Sequence, residues 1–269
     1  MYNKIMTICI AGIAENKKII AFTDKMLTIG APVKTAFEIS ENNKAIKLAD
    51  KVVAMFAGDV LKANAILKLA KLNIVNSDIG VEAVAEIVQK AYKEQWVKDI
   101  EEALLQRFGL DRKTFVNKQK ELEVELVKNI NNTIGTYNMD VQIIVTGIEK
   151  TEPRIFKIEN PGIKQAQDSI GYCCIGSGTQ HATFSLIESK YNPSFNEEKS
   201  IHAILQAKKR AQYDPGVGQL TDIVIINNEY VKIKEDKIKL IDETYNSSAN
   251  LIAEERDNCA KLIQKNIYD

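Results

Sequence analysis

The chain has 269 residues, with 45% hydrophobic and 27% charged content, which is the composition of an ordinary globular protein. Its 36 basic residues balance 36 acidic ones, so the overall charge gives no attraction to nucleic acid. No apolar stretch is long and uninterrupted enough to predict a membrane span, and the four cysteines lack paired metal-ligand spacing. We therefore expect a reduced, cytoplasmic protein with no metal, cofactor, nucleic acid or membrane partner.

The first predicted element is a β-hairpin. Two apolar runs flank the polar turn Ala14–Lys18, which is typical of two antiparallel strands. Because side chains alternate faces along a strand, Asp24 in the returning strand shares a face with Ile20 and Phe22. Thr7 opens the first strand. Burial of a carboxylate costs free energy unless it is compensated, so Asp24 is unusual at this position.

A second hairpin follows, and again a charged residue alternates with apolar ones. Lys44 shares a face with Ile46 and Leu48, and the returning strand ends at Gly58, directly before a helical pattern with Asp59 as N-cap. Three strand ends thus offer a hydroxyl, a carboxylate and an ammonium beside a helix N-terminus. On periodicity alone, the simpler interpretation is that the two charged groups reach water.

The remaining chain alternates between helical and strand patterns. Apolar spacing predicts helices over residues 60–72, 80–105, 114–130, 181–190, 200–212 and 240–267. Alternating or continuous apolar runs predict strands over residues 140–147, 154–158, 171–175, 221–226 and 230–233. This order of elements fits two stacked sheets with helices on both outer sides.

The stretch from Thr7 to Gly58 resembles the N-terminal half of a proteasome β-type subunit, an N-terminal-nucleophile hydrolase. Its opening, Thr7-Ile8-Cys9-Ile10-Ala11, is most similar to the bacterial proteasome homologue (Anbu-like) group. The resemblance implies an α+β fold that is a four-layer αββα sandwich. It also implies that Thr7 is the nucleophile, flanked by Asp24 and Lys44, and that the Gly58 N–H binds the oxyanion. Thr7 takes this role if the first hairpin is one residue longer than in the family; otherwise Ile8 would occupy the position.

The second half carries further parts of the same resemblance. Gly176-Ser177-Gly178 matches the Gly-Ser-Gly loop whose serine supports the nucleophile, and Asp214 matches the aspartate that opens a later loop. The family usually has a second serine three residues after that aspartate. Val217 stands there instead, which weakens the hydrogen-bond network that the resemblance implies.

Other interpretations of these residues are weaker. Ser177 with His181 suggests a serine hydrolase, but Gly-Ser-Gly is not the nucleophile-elbow pattern. Gly176 and Gly178 lack the third glycine of a dinucleotide loop, because His181 occupies its place. Ser177 or Thr179 could simply cap the following helix. His181 and His202 suit a surface better than a metal site, because no third ligand accompanies them.

The resemblance implies a threonine-type amide hydrolase, a peptidase acting on peptides or proteins. The alternatives are a catalytically inactive structural subunit of the same kind, or an amidase or transpeptidase of the same fold. Catalysis requires Thr7 as the N-terminal residue. Removal of Met1–Met6 as a propeptide would expose it, and so would a biological start at Met6 followed by trimming. The family implies a homo-oligomer and an ATP-dependent unfoldase as a candidate partner.

We predict one proteasome-like domain over residues 1–269, with a helical insertion near 95–135 and a C-terminal helical extension near 240–269. The resemblance covers residues 6–92 and 138–235. The insertion could be a lid or a partner-binding element. Its richness in Lys and Glu favours a solvated surface hairpin instead.

Overall fold

A computed structural model describes residues 7–29, 35–39 and 43–268 of the chain. It divides into two compact units, Met1–Val231 and Lys232–Asp269. The strands are β1 (Cys9–Ala14), β2 (Lys18–Asp24), β3 (Met26–Ile29), β4 (Thr35–Glu38), β5 (Ala45–Ala49), β6 (Val52–Gly58), β7 (Val141–Glu149), β8 (Glu152–Glu159), β9 (Ile163–Ala166), β10 (Tyr172–Ile175), β11 (Thr221–Ile226) and β12 (Tyr230–Lys232). The helices are α1 (Val60–Asn73), α2 (Val81–Ile100), α3 (Arg112–Lys118), α4 (Val124–Thr136), α5 (Thr179–Glu188), α6 (Glu197–Ala211) and α7 (Glu235–Tyr268).

The first sheet has five strands in the order β10-β1-β2-β11-β12. The predicted hairpin is confirmed, since β1 pairs antiparallel with β2 around a turn at Glu15 and Asn16, both with positive φ. Strand β2 also pairs with β11, which places Asp24 opposite Thr221. Asp24 therefore ends a central strand, next to the loop that enters β11.

The second sheet has the order β5-β6-β7-β8-β9, and Gly58 ends its strand β6 opposite Val141. Gly58 has φ +109°, and a Cβ there would lie 1.7 Å from the Asp140 carbonyl oxygen, so glycine is required. Helix α1 begins two residues later. Its predicted N-cap is confirmed, because the Asp59 side chain accepts hydrogen bonds from the backbone N–H groups of Leu61 and Lys62.

The two large sheets share one core. Cys9 and Ala21 of the first sheet belong to the same buried apolar cluster as Met55 and Ile144 of the second. Helices α1 and α2 pack on the other face of the second sheet through a separate cluster. Helices α5 and α6 pack against strands β10, β1 and β2 of the first sheet. The fold is therefore of the mixed α+β kind.

The predicted helix over residues 114–130 is wrong. The chain breaks between α3 and α4, which lets Phe115 and Ile130 pack with Ile100 and Leu105 in a small apolar cluster. Burial of these side chains outweighs the helical propensity of the intervening Lys- and Glu-rich residues. The helix predicted over 80–105 also ends earlier as an α-helix, because residues Glu101–Leu105 form a π-helical turn and Gln106–Phe108 a 3₁₀ turn.

Strands β3, β4 and β9, each four residues long, have no counterpart in the sequence prediction. The C-terminal helix begins at Glu235, earlier than its apolar pattern indicates. Among the described residues, none of the helices combines the length and the apolar character needed to cross a bilayer.

Candidate active site

Thr7, Asp24 and Lys44 meet in one buried cluster. The Thr7 hydroxyl donates to Asp24 Oδ1 and accepts from Lys44 Nζ, and Lys44 Nζ lies 2.5 Å from Asp24 Oδ1. The relative exposures of these residues are 1%, 0% and 2%. The simpler interpretation, in which the two charged groups reach water, is therefore wrong.

The ends of three strands bring these groups together. Thr7 lies two residues before β1, and the Asp24 N–H at the end of β2 donates to the Ile8 carbonyl at 3.1 Å. Lys44 directly precedes β5 of the second sheet. The ion pair therefore joins the two sheets at one edge of their shared core.

The second carboxylate oxygen of Asp24 is also satisfied. Gly218 N–H donates to Asp24 Oδ2 at 2.8 Å, while Oδ1 faces Lys44 and Thr7. A fully buried carboxylate persists only with such compensation. The loop before β11 is thus part of the site, although Gly218 did not stand out in the sequence.

The Gly176–Gly178 loop holds the backbone of Thr7. Gly178 N–H donates to the Thr7 carbonyl at 3.3 Å. Gly176 has φ +104°, and a Cβ there would lie 2.2 Å from the same carbonyl oxygen. Only glycine permits this close approach.

Ser177 and Asp214 pair with each other next to this loop. Ser177 Oγ donates to Asp214 Oδ1 at 3.2 Å, and Gly216 N–H donates to the same oxygen at 2.8 Å. The capping interpretation of Ser177 and Thr179 is wrong, because the N-cap of α5 is Gly178 and no side chain caps this helix. Ser177 is thus directed to the Asp214 carboxylate.

Val217, at the position of the family's second serine, is 4% exposed. Its Cγ2 lies 2.8 Å from the point where a Cβ on Gly178 would stand. The side chain therefore fills space beside the loop and donates no hydrogen bond.

The end of β6 lies against the start of β1. Cys9 Sγ donates to the Phe56 carbonyl at 3.2 Å. Cys9 lies two residues after Thr7, and Phe56 lies two residues before Gly58. Burial raises the pKa of the Cys9 thiol far above its ordinary value, and the opposing effect of the Lys44 ammonium is smaller. Cys9 is therefore a neutral packing residue and a poor nucleophile.

A second buried ion pair involves Lys25, the residue after Asp24, and was missed in the sequence analysis. Lys25 Nζ lies 3.6 Å from Asp222 Oδ1, and the two side chains are 4% and 1% exposed. A carboxylate inside the apolar run Thr221–Ile226 was the available signal. Among the described residues, no group of three His, Cys, Asp or Glu side chains could hold a metal ion, and His181 and His202 are exposed.

Two stacked sheets with outer helices make this a mixed α+β fold. The N-terminal-nucleophile hydrolases belong to the same fold class. Residues 101–226 match the model of the family described as Proteasome subunit. A proteasome subunit beta of Ferroglobus placidus is 30% identical over 135 residues, which cover 47% of this chain and 61% of the relative. Those of Methanospirillum hungatei and Archaeoglobus profundus are 25% and 28% identical, covering 43% of this chain and 55% and 54% of the relatives. Just under half of the chain is therefore similar to proteasome subunits, and to their β-type members in particular.

The chain spans only about half to three-fifths of the length of these relatives. The family match includes Ser177 and Asp214 but begins after Thr7, Asp24, Lys44 and Gly58. It also includes most of the helical segment that we placed outside the resemblance. The catalytic roles of the individual residues and the Anbu-like subgroup therefore stay predictions.

Proposed function

We propose that this protein is a threonine-type N-terminal-nucleophile amide hydrolase, a peptidase built on a four-layer αββα sandwich. One observation carries the proposal: the Thr7 hydroxyl contacts both Asp24 and Lys44 in a site where all three residues are at most 2% exposed. A buried hydroxyl between an ammonium and a carboxylate fits nucleophilic catalysis better than it fits stabilisation of the fold.

A threonine hydroxyl attacks an amide only if a base takes its proton. When Thr7 is the N-terminal residue, its own α-amino group is that base, with an ordinary pKa of about 7.7–8.0. The Lys44 ammonium disfavours protonation of this amine, which helps it to act as a base near neutral pH. Asp24 balances the charge of Lys44 and keeps Nζ beside the hydroxyl.

The reaction then proceeds by acyl transfer. Thr7 Oγ1 forms an ester with the substrate's acyl group, and the proton passes to the leaving amine. The Gly58 N–H, at the end of β6 and two residues before α1, would bind the oxyanion of the tetrahedral intermediate. Water hydrolyses the ester; transfer to a second amine instead of water would make the protein a transpeptidase, and product analysis separates the two.

A structural role without catalysis is the second candidate, and Val217 favours it. A buried valine replaces the serine that in the family helps to order the nucleophile, so Ser177 and Asp214 act without a second hydroxyl. In this case the buried cluster would serve only the fold.

The proposal extends to the setting of the protein. We expect a cytoplasmic homo-oligomer that acts on peptides or unfolded proteins without a cofactor. An ATP-dependent unfoldase is its candidate partner. Met1–Met6, the segment that must be removed to expose Thr7, lies outside the described residues.

Two forms of the protein test the proposal: one begins at Met1, and the other is engineered to begin at Thr7. Each is treated with a peptide epoxyketone, whose ring product needs both a hydroxyl and a free amine on one residue, and separately with a β-lactone. We expect mass spectrometry to locate the adduct on Thr7 of the second form and to find none on its Thr7→Ala variant. The Met1 form should stay unlabelled unless it first loses Met1–Met6.

Two results would contradict the proposal. A folded protein that begins at Thr7 and reacts with neither reagent would support the structural role instead. Labelling of Cys9 would mean that the nucleophile position was assigned wrongly.

A further inference from the structure

A cavity of about 200 Å³ lies within the helical segment near residues 95–135, which we predicted as an insertion. It is separate from the candidate active site. Its walls are mainly apolar and include Trp96, Ile100, Leu105, Phe115 and Ile134. The last four of these belong to, or pack against, a small core that is separate from the cores of the two large sheets. None of the residues that line it belongs to the proposed catalytic set.

The polar lining of this cavity holds both donors and acceptors: Trp96 and Arg112 offer only donors, Glu101 offers acceptors, and the amides of Gln119 and Asn131 offer both. Trp96 Nε1 is buried and finds no acceptor in the described part of the chain. Arg112 is a lining residue with an exposed side chain, and the Glu101 carboxylate accepts a hydrogen bond from the Arg112 backbone N–H at 3.1 Å. A buried N–H without an acceptor costs free energy, which a ligand that supplies an acceptor would recover.

The backbone of the wall is also irregular. Residues Glu101–Leu105 form a π-helical turn, and they place Glu101 and Leu105 in the lining. Single π-helical turns inside helices often occur at functional sites, because they redirect side chains from the regular helical spacing.

We propose that this cavity binds a small monocarboxylate with an apolar body of about six carbons. An apolar cavity of about 150 Å³ accepts benzene, so the volume here suits a body of that size or slightly larger. A carboxylate supplies acceptors for both the Trp96 N–H and the Arg112 guanidinium, which binds carboxylates in fork geometry. The site is independent of the proposed peptidase activity.

Trp96 is the single tryptophan of the chain, so intrinsic fluorescence reports directly on this cavity. The full chain is titrated with hexanoate and, separately, with the neutral analogue 1-hexanol. We expect a saturable change with both compounds and tighter binding of hexanoate. Arg112→Gln should weaken hexanoate binding by roughly tenfold and leave 1-hexanol binding unchanged, since loss of one charge-assisted hydrogen bond costs about that factor.

Arg107→Gln is the matched control, because Arg107 is an exposed arginine of the same segment that does not line the cavity. It should bind both compounds as the wild type does. Val97→Phe, which adds volume at the wall, should abolish binding of both, with folding checked by circular dichroism. The absence of a saturable change in the wild type would overturn the site. Equal effects of Arg112→Gln and Arg107→Gln on hexanoate would overturn the carboxylate class, even if Val97→Phe fails to fold.

Discussion

At the scale of single residues, the charges buried around Thr7 are the feature that packing alone does not explain. Asp24 and Lys44 are almost fully buried, and their oxygen and nitrogen atoms are satisfied by each other, Thr7 and Gly218. Such a pair gains little net free energy over apolar residues of similar volume. Removal of one partner is costly, because the other charge is left buried without compensation.

We therefore expect Lys44→Met and Asp24→Asn each to lower the free energy of unfolding by roughly 3–5 kcal/mol. Lys47→Met is the matched control, since Lys47 forms an exposed pair with Asp50 at 3.7 Å and should change stability by less than about 1 kcal/mol. Urea denaturation measures all three variants. Unchanged stability in both buried-site variants would mean that these charges lie in water and would remove the site.

Val217→Ser restores the residue that the family carries at this position. Because Val217 is buried and packs beside Gly178, the change removes apolar contacts, and we expect a loss of stability of about 1–3 kcal/mol. If the protein is an impaired peptidase, the rate of epoxyketone labelling of the form that begins at Thr7 should rise. A lower rate at unchanged stability would indicate that this loop is built differently from the family's.

Sequence patterns predict part of this site. Alternation marked Asp24 and Lys44 as charges on apolar faces, but it could not show that they contact Thr7. That contact depends on the approach of two sheets whose strands are far apart in the chain. The Gly218 N–H escaped the sequence analysis because a backbone donor has no local pattern. The Lys25–Asp222 pair had one local signal, the carboxylate inside an apolar run, but that signal did not identify its partner.

At the scale of elements, one polar bridge connects α1 to the helical segment. Lys62 Nζ lies 3.1 Å from Asp99 Oδ2 and donates to Tyr137 Oη at 3.0 Å, and Tyr137 donates to Asp99 at 2.7 Å. Burial lowers the pKa of Lys62, but the hydrogen bonds to Tyr137 and Asp99 outweigh it and raise the pKa overall. The first turn of α1, next to Gly58, is thereby tied to α2 and to the end of α4.

Asp99→Asn should lower the free energy of unfolding by about 1–3 kcal/mol, because it removes the charge that both Lys62 and Tyr137 contact. Glu102→Gln is the control, since Glu102 forms an exposed pair with Lys98 at 3.8 Å and should have an effect below about 1 kcal/mol. Thermal unfolding followed by circular dichroism compares the two variants. Equal melting temperatures would show that the bridge contributes nothing to stability.

Strands β1 and β10 carry three buried thiols. Burial raises the pKa of Cys174 to about 12 and raises those of Cys9 and Cys173 further, from an ordinary value of 9.0. The unfolded chain therefore loses these protons first, so the stability that they contribute is complete below about pH 9 and falls as the pH rises towards the folded values. Each thiol should remove about 1.4 kcal/mol per pH unit in that window.

Urea denaturation between pH 8 and pH 10.5 tests this dependence. Above about pH 9 the free energy of unfolding falls as the pH rises. Cys174→Ala should reduce that slope by the contribution of one thiol. Cys259→Ala is the control, because Cys259 is exposed and should leave the slope unchanged. An identical slope in all three proteins would mean that the buried thiols ionise as readily as free ones.

Elements with strong local patterns were predictable. The hairpin β1–β2 and helix α1 with its Asp59 cap follow from alternation and from a capping residue at the right place. The break between α3 and α4 was not predictable, because only the packing of Phe115 and Ile130 against Ile100 and Leu105 requires it. Strand β9 was not predictable either, because its four residues, Ile163–Ala166, include Lys164 and Gln165 and form no apolar run.

At the scale of the whole molecule, the order of strands and helices predicted the α+β class. It did not predict which apolar side chains would be exposed on the surface. The described surface includes large apolar side chains on α1 and just after it, with Leu72 at 75% and Val75 at 97% exposure. Two more, Phe184 and Ile187 on α5, are 59% and 58% exposed. Exposed apolar residues of this size, when grouped, often mark contacts between proteins.

Self-association is the prediction that follows for the whole molecule. Because the proposed function includes a homo-oligomer, and because the exposed Leu72 and Val75 would be shielded by a neighbour, we expect light scattering at micromolar concentration to give a mass several times 30.1 kDa. The double change Leu72→Glu and Val75→Glu should reduce that mass, because each glutamate would lose water at the contact. Lys90→Glu, an exposed charge change on α2, should not reduce it.

A wild-type protein that scatters only as a 30.1 kDa species would contradict the homo-oligomer. An unchanged mass in the double variant would instead place the contact on another surface.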